Sequence, residues 1–301
     1  MNKFKLSGVM PAVTTPFTRD GNVDHALLIE RCAWLLSNGC DGINLLGTTG
    51  EGTSLSVRQR LAVMQAISAS GLPLSRLMIS TGASALEDAQ VLTAQGVELG
   101  FAGVLLLPPF YFKGISEDGI VSFIEAVLNK VDVDQCRLYL YHMPAYTGVP
   151  YTPTIALRLK EKYGDVIAGL KDSTGDLSVS SAFVAAVPDF DVFPSSESSL
   201  GLAKERGYAG CISATVNVTA PLAGKYWNSN NDAVAALEAA AEIRLALQSL
   251  PLLPAVKWAV ARTTSQSSWL HALPPIGALS ASEIALIAPV LEKHWESIKV
   301  V

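Results

Sequence analysis

The sequence predicts an α/β fold, a (β/α)8 TIM barrel with a C-terminal helical extension, and three observations lead there. Short apolar runs that stop at Gly, Pro, Ser or Thr alternate with longer amphipathic segments, the rhythm of βα units around a parallel sheet. Eight such runs can be read along the chain, and eight βα units close into a barrel more readily than they spread into an open sheet of that width. The length, 301 residues, suits one barrel with an addition at its end.

Strands are expected over 9–14, 42–46, 77–81, 103–107, 137–141, 166–171, 191–193 and 210–213. Covering helices are expected over 24–37, 56–69, 86–99, 116–131, 152–163, 177–187 and 198–206, each an amphipathic stretch long enough to span a strand pair. The barrel domain is thus placed at 1–219. Residues 220–301 read as further helices, with 233–248 strongly helix-forming and a break at Pro251 and Pro254. This extension is expected to pack on the barrel or to build a subunit interface.

Half of the residues are apolar and 16% are charged, enough to bury a large core beneath a modest charged surface. The net charge of -5 and the scattered Lys and Arg leave no basic footprint for nucleic acid. The opening residues break at Gly8 and Pro11 before any sustained apolar segment, so they do not read as a signal peptide. No apolar run reaches the roughly 18 residues of a membrane span, and a cytoplasmic location is expected. Cys32, Cys40, Cys136 and Cys211 form no C-x-x-C pair and sit in apolar segments, as buried reduced thiols do. The histidines, His25, His142, His271 and His294, are too dispersed to suggest a metal cluster, and no metal is expected.

In a barrel the C-terminal strand ends converge on one face, where such folds carry their chemistry. Read around that face, the polar residues are Thr14 and Thr15, Thr48, Thr49 and Glu51, Tyr111, Tyr141, Lys171, 195–197, then Ser213 with Thr215. The set holds one amine and many hydroxyls. Lys171 closes an apolar strand, so its stem starts inside the wall and its amine points into the mouth, where an unprotonated amine can attack a carbonyl. A strand-end lysine taken alone more commonly carries its charge out to solvent.

The companions favour chemistry. Tyr141 ends the preceding strand and stands beside Lys171, where a phenol can relay protons as a carbinolamine forms and collapses. His142 points the other way by strand alternation and belongs to the wall. The segment G-T-T-G-E at 47–51 offers two hydroxyls and several backbone amides ahead of a helix, a setting suited to a carboxylate. Gly47, Thr48 and Thr49 are therefore candidate substrate contacts. Tyr111, in P-P-F-Y-F-K, is an exposed loop aromatic that would meet the site or a partner subunit. No Gly-rich phosphate cradle follows the last two strands, so the substrate is expected to carry no phosphate.

These motifs, in this order, closely resemble the dihydrodipicolinate synthase and N-acetylneuraminate lyase superfamily of pyruvate-handling barrels. The likeness runs from P-A-V-T-T-P-F at 11–17 through G-T-T-G-E, the aromatic loop, Y-H-M-P at 141–144, G-L-K-D at 169–172 and G-C-I-S-A-T-V-N-V at 210–218 to P-A-V-K-W-A at 254–259. The resemblance implies an imine between Lys171 and pyruvate or a pyruvate-derived substrate, with Tyr141 as the proton-transfer group. It implies a relay in which Thr48 links Tyr141 to Tyr111, the second tyrosine coming from a neighbouring subunit. Thr49 would hold the carboxylate and the Ile212 carbonyl would line the same pocket. A homotetramer, built as a dimer of dimers, with no metal or organic cofactor follows by the same likeness.

The sequence departs from that pattern where the second substrate binds. Dihydrodipicolinate synthases carry an arginine two residues after the proline of the tyrosine motif, and here Tyr146 stands there; a neutral phenol cannot replace a bidentate guanidinium. The acidic positions after the seventh strand read Ser195, Ser196, Glu197 and Ser198, which leaves Tyr146, Ser196 and Glu197 as candidate contacts for the second substrate.

The expected activity is a class I lyase that cleaves or forms a carbon–carbon bond between pyruvate and an aldehyde, in a non-phosphorylated 2-keto-3-deoxy sugar acid. The alternatives are dihydrodipicolinate synthase itself, a dehydratase or deaminase using the same imine, a metal-dependent barrel lyase, and a 2-oxo-acid sensor without turnover.

Overall fold

The computed structural model describes residues 5–229 and 233–300. Its strands are β1 Gly8–Pro11, β2 Ile43–Leu45, β3 Leu77–Ser80, β4 Gly103–Leu106, β5 Leu138–His142, β6 Ile167–Asp172, β7 Asp191–Pro194 and β8 Gly210–Ser213. The helices are α1 His25–Ser37, α2 Val57–Ala69, α3 Leu86–Glu98, α4 Glu117–Leu128, a short α5 Pro144–Thr147, α6 Pro153–Tyr163, α7 Leu177–Ala186, α8 Leu200–Arg206 and α9 Val216–Asn228. Beyond them lie α10 Val234–Gln248, α11 Leu252–Thr264, α12 Ala281–Lys293 and α13 Trp295–Ile298.

Strands β2 to β7 pair in order and in parallel, and β1 pairs with β8 through Val9 opposite Cys211. Two backbone links close the ring: Ala12, just past β1, bridges to Asn44 of β2, and the Ala209 N–H donates to the Val192 carbonyl of β7 at 2.9 Å. The fold is the expected (β/α)8 barrel. β1 stops three residues short of the expected end because Val13 turns its N–H to Asn44, at 2.9 Å, on the opposite neighbour.

Side-chain alternation divides the core. Met10, Met78, Leu105, Tyr139, Phe193 and Ile212 fill the barrel, while Val9, Leu45, Ile79, Leu106, Leu140 and Val192 meet the surrounding helices. Polar caps start the helices: Asp24 accepts from Leu27 N–H, Thr152 from Ile155 N–H, and Ser56 forms a reciprocal box with Gln59. The helix expected over 116–131 stops at Leu128, with Asn129 as its cap.

The expected division at 219/220 falls inside α9, which contacts both β1 and α10. Leu222 of this helix joins Ile243, Val256, Trp269 and Leu291 in a second apolar cluster that seats the extension on the barrel. Burial of each such side chain contributes on the order of 1.5–3 kcal/mol.

One irregularity governs the site. Leu138 faces Ile167, but Tyr139 faces Gly169, so β6 carries an extra residue, Ala168, against β5. The shift brings Tyr141 opposite Lys171; an unbroken register would have set Leu170 there. Gly169 is required at this point, because a Cβ would lie 2.1 Å from the Asp191 carbonyl oxygen.

Candidate active site

Lys171 is 3% exposed, and its Nζ lies 3.3 Å from the Tyr141 hydroxyl and 4.5 Å from the centre of the same ring. The Tyr141 hydroxyl lies 3.0 Å from Thr48 Oγ1, so an amine, a phenol and an alcohol form a continuous chain. Burial pushes the Tyr141 phenol up. The Lys171 ammonium opposes that, joined by hydrogen bonds with Thr48, Ser173 and Lys171, and the net result lies below the ordinary 10.0.

Thr48 and Thr49 sit in a tight turn closed by the Glu51 N–H on the Thr48 carbonyl, 3.0 Å, and the Gly52 N–H on the Gly47 carbonyl, 3.1 Å. Among the described residues the amides of Thr48 and Thr49 have no hydrogen-bond acceptor, and the hydroxyl of Thr49, a residue 6% exposed, makes no hydrogen bond. A loop with such donors beside a buried amine is chemically suited to a carboxylate. Gly47 is tight against Asn44, where a Cβ would lie 2.8 Å from Oδ1. Ile212 lies in the barrel interior with Tyr141 and Phe193.

Glu51 points away from this mouth. Its side chain is fully buried against the Lys257 ammonium of α11, at 2.8 Å, and its other oxygen accepts the Leu273 N–H, also at 2.8 Å. Lys257 additionally donates to the carbonyls of Thr15 and His271, both at 2.7 Å. The P-A-V-K-W-A segment thus anchors the threonine loop from the extension, a role the sequence did not disclose because the two partners lie at opposite ends of the chain.

Tyr146, on α5, is 66% exposed and, with Thr48, borders a cavity of about 540 Å³ whose far wall is the extension. Ser196 caps the turn that follows β7, accepting from the Ser198 N–H at 3.2 Å, and borders a smaller cavity of about 230 Å³ with Asp172 and Ser180. A larger cleft, about 940 Å³, lies beside Ala102 and Arg137, which precede β4 and β5, at the barrel end opposite the chemistry.

Glu197 corrects an expectation. It is 0% exposed, and its oxygens accept the hydroxyls of Ser213, Thr215 and Thr219 at 2.6–2.8 Å and face the Arg244 guanidinium at 3.3 Å. A carboxylate so engaged braces β8, α9 and α10 rather than reaching out to a ligand. Tyr111 is 72% exposed and makes a ring contact with Phe112; within one chain it does not meet Thr48. His142 does turn to the wall, where Nδ1 accepts the Tyr151 N–H at 3.1 Å and the ring packs on Phe183. Burial pushes its imidazole below the ordinary 6.5, with the Asp172 carboxylate opposing. The four cysteines are all buried, and burial pushes the Cys32 thiol up to about 12.

Among the described residues no group of three or more His, Cys, Asp or Glu side chains could hold a metal ion, and no helix is long and apolar enough to cross a membrane. A closed barrel with this amine and phenol at adjoining strand ends defines a barrel lyase of the aldolase type. A sequence model of the dihydrodipicolinate synthetase family matches residues 5–292, and the chain belongs to that family.

A DapA-like lyase of Chloroflexus aurantiacus, described as uncharacterised, is 33% identical over 290 residues, covering 95% of this chain and 96% of its own. The crystal structure of dihydrodipicolinate synthase from Agrobacterium tumefaciens superposes with a TM-score of 0.87 at 30% identity, covering 95% of this chain and 98% of that one. A variant of the Sulfolobus solfataricus 2-keto-3-deoxygluconate aldolase shares the fold, with a TM-score of 0.83 at 20% identity over 96% of this chain and 98% of that one.

Proposed function

We propose that Lys171 forms an imine with pyruvate and that the enzyme makes or breaks a carbon–carbon bond between pyruvate C3 and an aldehyde. The observation that carries this reading is the buried Lys171 amine, 3.3 Å from a phenol that is itself 3.0 Å from Thr48. The lysine nitrogen adds to the pyruvate C2 carbonyl, and Tyr141 supplies the proton with which the carbinolamine hydroxyl leaves as water. Loss of a C3 proton gives the enamine, the cationic imine having drawn the electrons inward. The open amides of Thr48 and Thr49 and the Thr49 hydroxyl hold the carboxylate.

Tyr111 completes the relay from a neighbouring subunit, in a homotetramer; its exposed position on one chain, beside an equally exposed Phe112, supports that reading. No organic cofactor is invoked, and the protein acts in the cytoplasm. The neutral Tyr146 argues against aspartate semialdehyde as the natural partner.

The test is borohydride reduction with pyruvate present, followed by peptide mass spectrometry. A reduced pyruvate adduct on the peptide containing Lys171 is the expected result; an adduct on another lysine, or none, overturns the reading.

A further inference from the structure

We infer that the aldehyde partner is a neutral aldehyde with an apolar tail, housed in the cavity between Thr48 and the C-terminal extension. The inference rests on the imine reading above and adds the substrate class. Thr48 belongs both to the chain leading to Lys171 and to the wall of this cavity, so a substituent on an aldehyde reacting near Lys171 extends into it.

The wall chemistry selects the tail. Leu252, Leu253 and Pro254 at the start of α11, with Ile276, Ala278 and Leu279 from the loop before α12, supply an apolar floor. Among the described residues no lysine, arginine or histidine lines the cavity. The nearby Lys257 ammonium is sealed against Glu51 and the carbonyls of Thr15 and His271. Of the two acids in the wall, Glu51 is neutralised by that lysine, and Glu283 is engaged by Ser280 at the α12 cap. A carboxylate on the tail would therefore find no cation and would face Glu283. A row of sugar hydroxyls would find Thr53, Ser54 and Tyr146 exposed at the rim, a Thr48 hydroxyl already bonded to Tyr141 and a Glu283 carboxylate already engaged by Ser280, and over the leucines would lose hydration without replacement bonds. An apolar tail has neither cost, and a cavity of about 540 Å³ has room for a phenyl or branched alkyl group.

In the step itself the enamine carbon attacks the aldehyde carbon. One C–C bond forms, the aldehyde π pair moves to oxygen, the alkoxide takes a proton from the Tyr141–Thr48 chain, and water hydrolyses the resulting imine to free the 4-hydroxy-2-oxo acid and the lysine amine.

The experiment compares kcat/KM for condensation of pyruvate with 3-phenylpropanal, D-glyceraldehyde and succinic semialdehyde, beside borohydride trapping of pyruvate on the same preparation. The expected result is a preference of about 10-fold or more for 3-phenylpropanal over each of the others. Ile276→Ser, in a half-buried loop position, should reduce that preference several-fold. Equal or better use of glyceraldehyde or succinic semialdehyde overturns the inference, as does an Ile276→Ser enzyme that keeps the preference intact. Trapping at Lys171 with no condensation of 3-phenylpropanal overturns the tail assignment and leaves the imine standing. Failure to trap pyruvate strikes the imine reading itself, so the two failures are told apart.

Discussion

The Lys257 ammonium lies 2.8 Å from a carboxylate oxygen of Glu51, with both side chains sealed from solvent. Glu51 holds a left-handed backbone conformation, φ 53°, at the end of the turn that presents Thr48 and Thr49. That pair therefore joins the extension to the loop assigned to the substrate carboxylate. Removing one partner leaves the other charge buried and alone, which costs about 3–5 kcal/mol.

Lys257→Met and Glu51→Gln are accordingly expected to lower thermal stability by that order and to raise KM for pyruvate more than they lower kcat. Thermal unfolding with steady-state kinetics checks both. Variants as stable as the parent, with unchanged KM, would show that the pair does not hold the loop.

Burial raises the Tyr141 phenol, but the Lys171 ammonium and the hydrogen bonds with Thr48, Ser173 and Lys171 together outweigh it, so the phenol is expected to ionise below the ordinary 10.0. Tyrosinate absorbance on alkaline titration should show one early group that vanishes in Tyr141→Phe. In Lys171→Ala it should move up, since the cation that favoured the phenolate is gone. Tyr141→Phe should also slow turnover by about 10²–10⁴-fold, the usual contribution of a positioned proton-transfer group. A titration unaltered by Lys171→Ala would contradict the electrostatic account.

His142 couples the wall to pH. Its imidazole is depressed from 6.5 by burial, so the stability tied to its neutral form is fully present above 6.5 and is lost as pH falls through the lower folded value. Melting temperature should drop on acidification below 6.5, and His142→Asn should flatten that part of the curve. Identical slopes for parent and variant would remove His142 from the explanation.

Tyr146 stands at the rim of the aldehyde cavity, 66% exposed. Tyr146→Arg supplies a cation to a wall that has none among the described residues, and use of an anionic aldehyde such as aspartate semialdehyde should rise about 10-fold, within the range of a charge-assisted hydrogen bond. Kinetics with that aldehyde decide it; no gain would mean the position does not address the second substrate.

Much of this architecture could be read locally. Each strand recovered from apolar runs overlaps the observed one, because burial on both faces leaves a continuous hydrophobic signature. The convergence of Lys171, Tyr141 and Thr48 on one face was legible as well, since each closes or follows a strand and barrel geometry sends strand ends to one face. Glu197 misled because a carboxylate after a strand looks the same whether it faces a ligand or three hydroxyls and an arginine. Arg244, its partner, lies on a helix of the extension with nothing local to mark it.

By itself the sequence determined the barrel, the strand ends and the chemical types gathered there, because hydrophobic period and turn residues act over a few positions. Only the tertiary structure decided the register by which Lys171, expected beside Tyr141, comes directly opposite it. A two-residue side-chain period cannot count the extra residue at Ala168, and the register that absorbs it exists only once β5 and β6 are paired.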